Sequence, residues 1–144
     1  MSGLAFSNSQ IGIVHAMGHS LGAVFKIPHG RSVAVFLPYV MEYNLSEAAS
    51  LYAEIAEAIG ITDGSDEEKA RKLIEAIRNL MKELEEPLSI KEMGIPREEF
   101  EAKLDELIER ANESTGTIVN PRVPIEEDYR KLFLYAYEGK SVDF

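Results

Sequence analysis

The 144 residues suit a single domain, and 45% of them are hydrophobic, which is ample material for a core and too much for a disordered chain. A formal net charge of −10 argues against nucleic acid and against anionic membranes as partners. The absence of cysteine excludes disulfides, zinc–thiolate sites and a cysteine nucleophile, and suits a cytoplasmic protein. The acidity is unevenly spread. Residues 1–45 carry only Lys26, Arg31 and Glu42, about +1, which leaves about −11 on the other 99 residues. All three histidines also fall in that first third, so it reads as buried, site-forming chain and the rest as a solvated scaffold. No segment reads as a signal peptide or a membrane helix, because the apolar stretches at 11–14 and 33–41 are short or interrupted.

Residues 3–24 read as one helix crowded with small side chains, among them Gly3, Ala5, Gly12, Gly18 and Gly22. Each interior glycine costs a helix about 1 kcal/mol relative to alanine. Several together need a reason, and the usual one is close approach by another backbone or a ligand. This helix is apolar nearly all round, which places it centrally. Pro28 marks a loop, and a second apolar segment covers residues 31–44, with a kink expected at Pro38. Ser46 reads as the cap of a helix running to about Ile59, with Leu51, Ile55 and Ile59 on one face.

Ser65 and Glu68 form a capping-box pattern. The helix it opens places Ala70, Leu73, Ile74, Ile77, Leu80, Met81 and Leu84 at helical spacing. Pro87 stops that helix, and Ser89 caps a short turn ending near Gly94. Pro96 marks another helix start, with Phe100, Leu104, Leu107, Ile108 and Ala111 as its stripe. Residues 112–123 read as an irregular connection, in which Asn120-Pro121-Arg122 either holds a helix terminus or faces the cofactor side, the structural role being favoured. Pro124 starts a last helix with Tyr129, Leu132, Phe133 and Ala136 inward, and the tail after Gly139 is expected to fray. With no convincing strand, the expectation is one all-α domain of about six or seven helices over residues 1–144.

The chemistry concentrates in the histidines. His15-Ala16-Met17-Gly18-His19 places two imidazoles at i and i+4 on one helix face, and His29 follows a proline-marked turn. A zinc protease would need a glutamate as general base after the first histidine, where this chain has Ala16. Spacing alone leaves ordinary hydrogen-bonded histidines as an open alternative to a metal site. Taken as ligands on spacing alone, His15 and His19 would be the pair. The charge-poor, glycine-rich setting favours a functional role.

Three runs carry a resemblance: residues 3–8 (Gly3-Leu4-Ala5-Phe6-Ser7-Asn8), residues 12–23 around His15 and His19, and Ile27-Pro28-His29-Gly30. With weaker continuations at 37–44, 89–96 and 117–122, they resemble the iron-containing (group III) alcohol dehydrogenases, specifically the C-terminal helical domain. The resemblance implies that His15 and His29 are metal ligands. It implies that His19 lies beside the metal and nicotinamide and assists proton transfer, and that Phe6 lines the substrate channel. It further implies a divalent metal, Fe2+ or Zn2+, and NAD(P)-linked interconversion of alcohol and aldehyde.

The family's N-terminal dinucleotide-binding half, with an aspartate and a further histidine ligand, has no counterpart here. There is no glycine-rich phosphate loop, no strand–helix alternation and no Asp-x-x-x-His pair. No cofactor-binding residue can therefore be named, and NAD(P) would bind only if a partner half supplied its site. The expectation is a chain inactive alone: either one piece of a split or truncated dehydrogenase that works with a separate N-terminal dehydrogenase half, or a folded but catalytically silent fragment. The alternative is an orphan helical fragment serving as a non-catalytic oligomerising or protein-binding module. Either way, apolar surface left uncovered around the first helix predicts a homo-oligomer.

Overall fold

The computed structural model describes residues 2–144, apart from the side chain of Ser2. The chain is all-α, as expected from its periodicity. The α-helices are α1 (Ser2–Ser9), α2 (Ile13–Phe25), α3 (His29–Ala34), α4 (Leu37–Tyr43), α5 (Leu45–Ala58), α6 (Asp66–Glu83), α7 (Arg97–Asn112) and α8 (Glu126–Glu138), with 3₁₀ turns at Lys91–Met93 and Thr115–Thr117. The helix count exceeds the expectation because two segments read as single helices are each broken in two. The chain breaks at Gln10, which takes the left-handed φ of 60°, and at Gly12, which is extended and caps α2. The segment at 31–44 breaks between α3 and α4 at Val35 and Phe36, ahead of Pro38. The proline instead sits in the first turn of α4, where no intrahelical partner for its missing N–H is needed.

The α2 helix is the centre of the larger core. It packs against α3, α7, α4 and the 115–117 turn, while α8 closes the far side against α7 and α4. Ile13, Met17, Leu21, Phe36, Phe100, Leu107, Tyr129 and Phe133 are all wholly buried there. Two aromatic contacts lock it. Phe36 meets Phe133 edge-on at 5.4 Å, and Phe100 stacks on Tyr137 at 4.5 Å. Buried hydroxyls are all used. Ser20 donates to the Leu107 carbonyl at 2.7 Å, Tyr137 donates to the Ile95 carbonyl at 3.0 Å, and Thr117 and Tyr129 share a bond of 2.6 Å. Among the described residues, no buried side-chain polar atom lacks a partner.

The helical hairpin of α5 and α6 forms a second, smaller core around Met41, Leu45, Ala56, Ala70, Leu73 and Ile74. The Ser65–Glu68 capping box is present and opens α6. The α5 helix differs from the sequence expectation at two points. Ser46 is exposed inside the helix, and the N-cap position belongs to Asn44, whose amide is engaged elsewhere. Leu51, Ile55 and Ile59, expected to point inward, are 56%, 52% and 58% exposed. The buried side of α5 is instead Leu45, Ala48, Ala53 and Ala56, and its small methyl groups let α6 approach closely. Leu80 of α6 and Leu84 at its C-cap are likewise exposed, whereas Ala70, Leu73, Ile74 and Met81 of the same stripe are buried.

The stripes of α7 and α8 are buried as the sequence indicates. Ser89 accepts from the Glu92 amide at 3.2 Å and holds the turn that ends at Gly94. The last helix begins two residues after Pro124, with Ile125 at the cap and Asp128 accepting from the Ile125 amide at 3.1 Å. The tail after Gly139 folds back rather than fraying. The Phe144 ring packs edge-on against Tyr135 at 5.4 Å, Arg122 donates to the Phe144 carbonyl at 2.9 Å, and the Val142 amide donates to Glu42 at 2.9 Å. An aromatic anchor and backbone hydrogen bonds outweigh the fraying of a polar tail. No described helix is long and apolar enough to cross a membrane.

Candidate metal-proximal histidine cleft

Two helices bring the histidines together. The i, i+4 spacing stacks His15 and His19 on the outer face of α2, with ring centroids 5.5 Å apart. The third histidine arrives from α3. After Lys26 takes a left-handed conformation, φ 55°, to end α2, the chain turns through Pro28 and starts α3 at His29. The His29 ring lies 5.1 Å from His19 and 5.7 Å from His15. The three separations are nearly equal, so they do not single out which pair acts as ligands. All three rings face one cleft of about 520 Å³ whose other walls are Gly3, Phe6 and Ile11. Phe6 itself is 54% exposed and belongs to α1, which lies at the periphery rather than in the centre. Residues 3–10 are all exposed.

The electrostatics favour the neutral form of His15 and His19. Partial burial lowers the pKa of His15, and the neighbouring His19 and His29 lower it further. Burial likewise lowers the pKa of His19, with His29 adding to the effect. Neutral imidazoles are the form that binds a metal ion. The donor set is nevertheless incomplete. Among the described residues, no group of three or more histidine, aspartate or glutamate side chains is placed to hold a metal ion.

What orients α2 is the 112–123 connection. Asn120 is buried, and its Oδ1 accepts from the Ile13 amide at 3.3 Å, which satisfies the first turn of the helix that carries His15. Its Nδ2 donates to Asn44 Oδ1 and to the Arg122 carbonyl, both at 2.7 Å. A Cβ on Gly12 would stand 2.7 Å from Asn120 Oδ1, so any side chain there would push the capping amide out of place. Gly116 is constrained in the same way by the carbonyls of Ile11 and Gly12, each 2.8 Å from where its Cβ would lie. The structural role read for Asn120 is therefore specific: it is a side-chain cap supplied from 107 residues away. Ile11 was not foreseen as a cleft residue. It sits in the α1–α2 break, which a continuous-helix reading runs through, and no local pattern marks it.

Comparison with known proteins assigns the lineage. A family model described as "Fe-containing alcohol dehydrogenase family, C-terminal" matches residues 1–137. The chain is 40% identical over its whole length to an NADPH-dependent butanol dehydrogenase of Clostridium saccharobutylicum, of which it covers 37%. It is 35% identical over 95% of its length to a 1,3-propanediol dehydrogenase of Klebsiella pneumoniae, of which it covers 35%. Among solved structures, an iron-containing alcohol dehydrogenase from Thermococcus thioreducens superposes with a TM-score of 0.86 at 37% identity, over 97% of this chain and 35% of that one. The chain thus spans about a third of the length of these relatives.

Proposed function

We propose, since this chain belongs to the Fe-containing alcohol dehydrogenase family and matches its C-terminal domain, that the histidine cleft is its share of an active site for NAD(P)-linked interconversion of alcohols and aldehydes. The observation that carries this reading is the convergence of all three histidines of the chain with Phe6 on one cleft. In this reading His15 and His29 hold a divalent metal, Fe2+ or Zn2+. Their fit is chemical: neutral imidazole, with a pKa at His15 lowered by burial, is a donor suited to either ion. When bound, such an ion supplies Lewis acidity toward an alcohol or carbonyl oxygen.

The remaining steps belong to the chain. His19 stands beside the ligand rings, 5.1 Å from His29, and as a mainly neutral base it takes up or passes on the alcohol proton. Phe6 and Ile11 give the cleft an apolar wall that excludes water and accepts the carbon chain of the substrate. The missing donors and the dinucleotide site come in this reading from residues outside these 144, in an N-terminal dehydrogenase half. Without that half the chain is inactive. The exposed Leu4 and Phe6 of α1 are the surface such a half would cover, and in its absence they favour self-association.

Anaerobic titration of the metal-stripped chain with Fe(II) and Zn(II) tests the half-site. The expected result is about one metal per chain or per dimer at roughly micromolar affinity or tighter, lost in His29→Ala. Absence of saturable binding would count against a preserved half-site. Mixing with an N-terminal half should then give alcohol-dependent reduction of NAD(P), and a persistently silent mixture would overturn the split-enzyme reading. Sedimentation showing a monomer throughout the micromolar range would refute self-association.

A further inference from the structure

We propose that Gly18, Gly22 and Ser32 form a seat that sets the position of His29 against His15 and His19. The seat is a helix-to-helix contact. A Cβ on Gly18 would lie 2.8 Å from the Val33 Cα, 2.7 Å from its Cγ2 and 3.0 Å from the Ser32 carbonyl, so the α3 backbone rests directly on α2 at this point. One turn further along, a Cβ on Gly22 would lie 3.0 Å from Ser32 Oγ and 3.2 Å from the Ile27 carbonyl. Ser32 is buried between the two glycines and His29, and its hydroxyl donates to the His29 carbonyl at 3.0 Å. The Ser32 amide donates to the Pro28 carbonyl at 3.0 Å, which fixes the residue before His29 as well.

The consequence is geometric. Gly18 is the residue before His19 and lies one turn from His15, so a change in the α2–α3 spacing at Gly18 carries His29 away from its place 5.1 Å from the His19 ring. A methyl group on Gly18 meets backbone, which cannot rotate away, and α3 has to lift off α2 with His29 on it. The adjacent Gly30 is different: nothing lies within 4 Å of a Cβ there. The glycines of α2 therefore act as positioning residues, working through His29 rather than touching a ligand themselves. The link to metal binding rests on the proposed role of His29, while the ring placement does not.

The test separates the two. With only three histidines in the chain, isotope-labelled imidazoles can be followed individually. In the metal-free protein, ring-to-ring NOEs between His19 and His29 are expected in the wild type and in Gly30→Ala, and are expected to vanish in Gly18→Ala. Adding Val33→Ala to Gly18→Ala should not restore them, because the clash with the Val33 Cα remains. Metal affinity in Gly18→Ala should fall by about tenfold or more, the range seen when the support behind a ligand is disturbed. Should Gly18→Ala fail to fold by circular dichroism, Gly22→Ala carries the same test with a milder contact. His19–His29 ring NOEs retained in the folded glycine variants would overturn the proposal, as would absence of those NOEs from the wild type. NOEs lost in Gly18→Ala from a chain that binds no metal would uphold the seat and overturn the metal reading.

Discussion

Replacing Asn120 with alanine removes the residue that joins the irregular connection to the helix bearing His15. The amide of Ile13 loses its acceptor, a loss comparable to an N-cap deletion, which costs about 1 kcal/mol. The Asn44 side chain, only 3% exposed and bonded to Asn120 through both its amide groups, is left without that partner. Stranding a buried polar group in this way costs about 1–3 kcal/mol, so the total is about 3 kcal/mol. With a urea m-value of about 2 kcal/mol/M for a small domain, the midpoint should fall by about 1.5 M at unchanged slope. A loss below about 1 kcal/mol would refute the assignment of Asn120 as a buried cap. A double-mutant cycle sharpens the test. Gly12→Ala places a methyl 2.7 Å from Asn120 Oδ1, so it should destabilise the wild type more than it destabilises Asn120→Ala. Strict additivity between the two substitutions would show that this contact does not constrain Gly12.

Other expectations follow from the same packing. Phe100→Ala, which deletes a wholly buried ring stacked on Tyr137, should cost about 3–5 kcal/mol in urea unfolding. Leu51→Ala should stay within about 0.5 kcal/mol of wild type, because that side chain faces solvent and not the core. Burial raises the Tyr39 pKa from 10.0 to about 12. The folded state therefore holds the phenol proton more tightly than the unfolded state does. The stability this gives is complete below pH 10 and drains away as pH rises from 10 to 12. Thermal melts across that window should show the loss, and Tyr39→Phe should make it shallower without abolishing it, because burial also raises the pKa values of Tyr43, Tyr52 and Tyr129; an unchanged slope would exclude Tyr39 as a source. Phe144→Ala should cost about 1 kcal/mol through the lost contact with Tyr135. It should also speed hydrogen exchange at Val142, whose amide bonds to Glu42.

How much of the molecule was legible depends on how local the deciding force is. The α7 stripe from Phe100 to Ala111 could be read residue by residue, because a polar, strongly periodic helix has one apolar face and one place to put it. The same reasoning failed for Leu51, Ile55 and Ile59, since α5 has a second possible inner face built of alanines. Only the partner helix α6 decides between the two. The break at Gln10 was invisible for a related reason. Small residues tolerate helix well enough, and the α2 terminus is set by an acceptor on Asn120, far along the chain. Pro38 misled in the opposite direction: it was read as a kink, yet it marks a helix start because the chain had already turned at Phe36.

The site divides along the same line. The sequence alone determined the all-helical class, the Ser65 cap, the inward faces of α7 and α8, and the two imidazoles sharing one face of α2. All of these follow from 3.6-residue periodicity and from side chains within one turn of each other. Periodicity and spacing did not bring His29 and Phe6 to His15 and His19; the resemblance implied that grouping, and the tertiary structure gives it its geometry, with the His29 ring 5.1 Å from His19 and 5.7 Å from His15 and Phe6 in the wall of the same cleft. The tertiary structure alone gave Gly12, Gly18 and Gly22 their reasons for being glycine. Those outcomes depend on how closely separate pieces of backbone approach, and the neighbours that set this distance lie elsewhere in the chain.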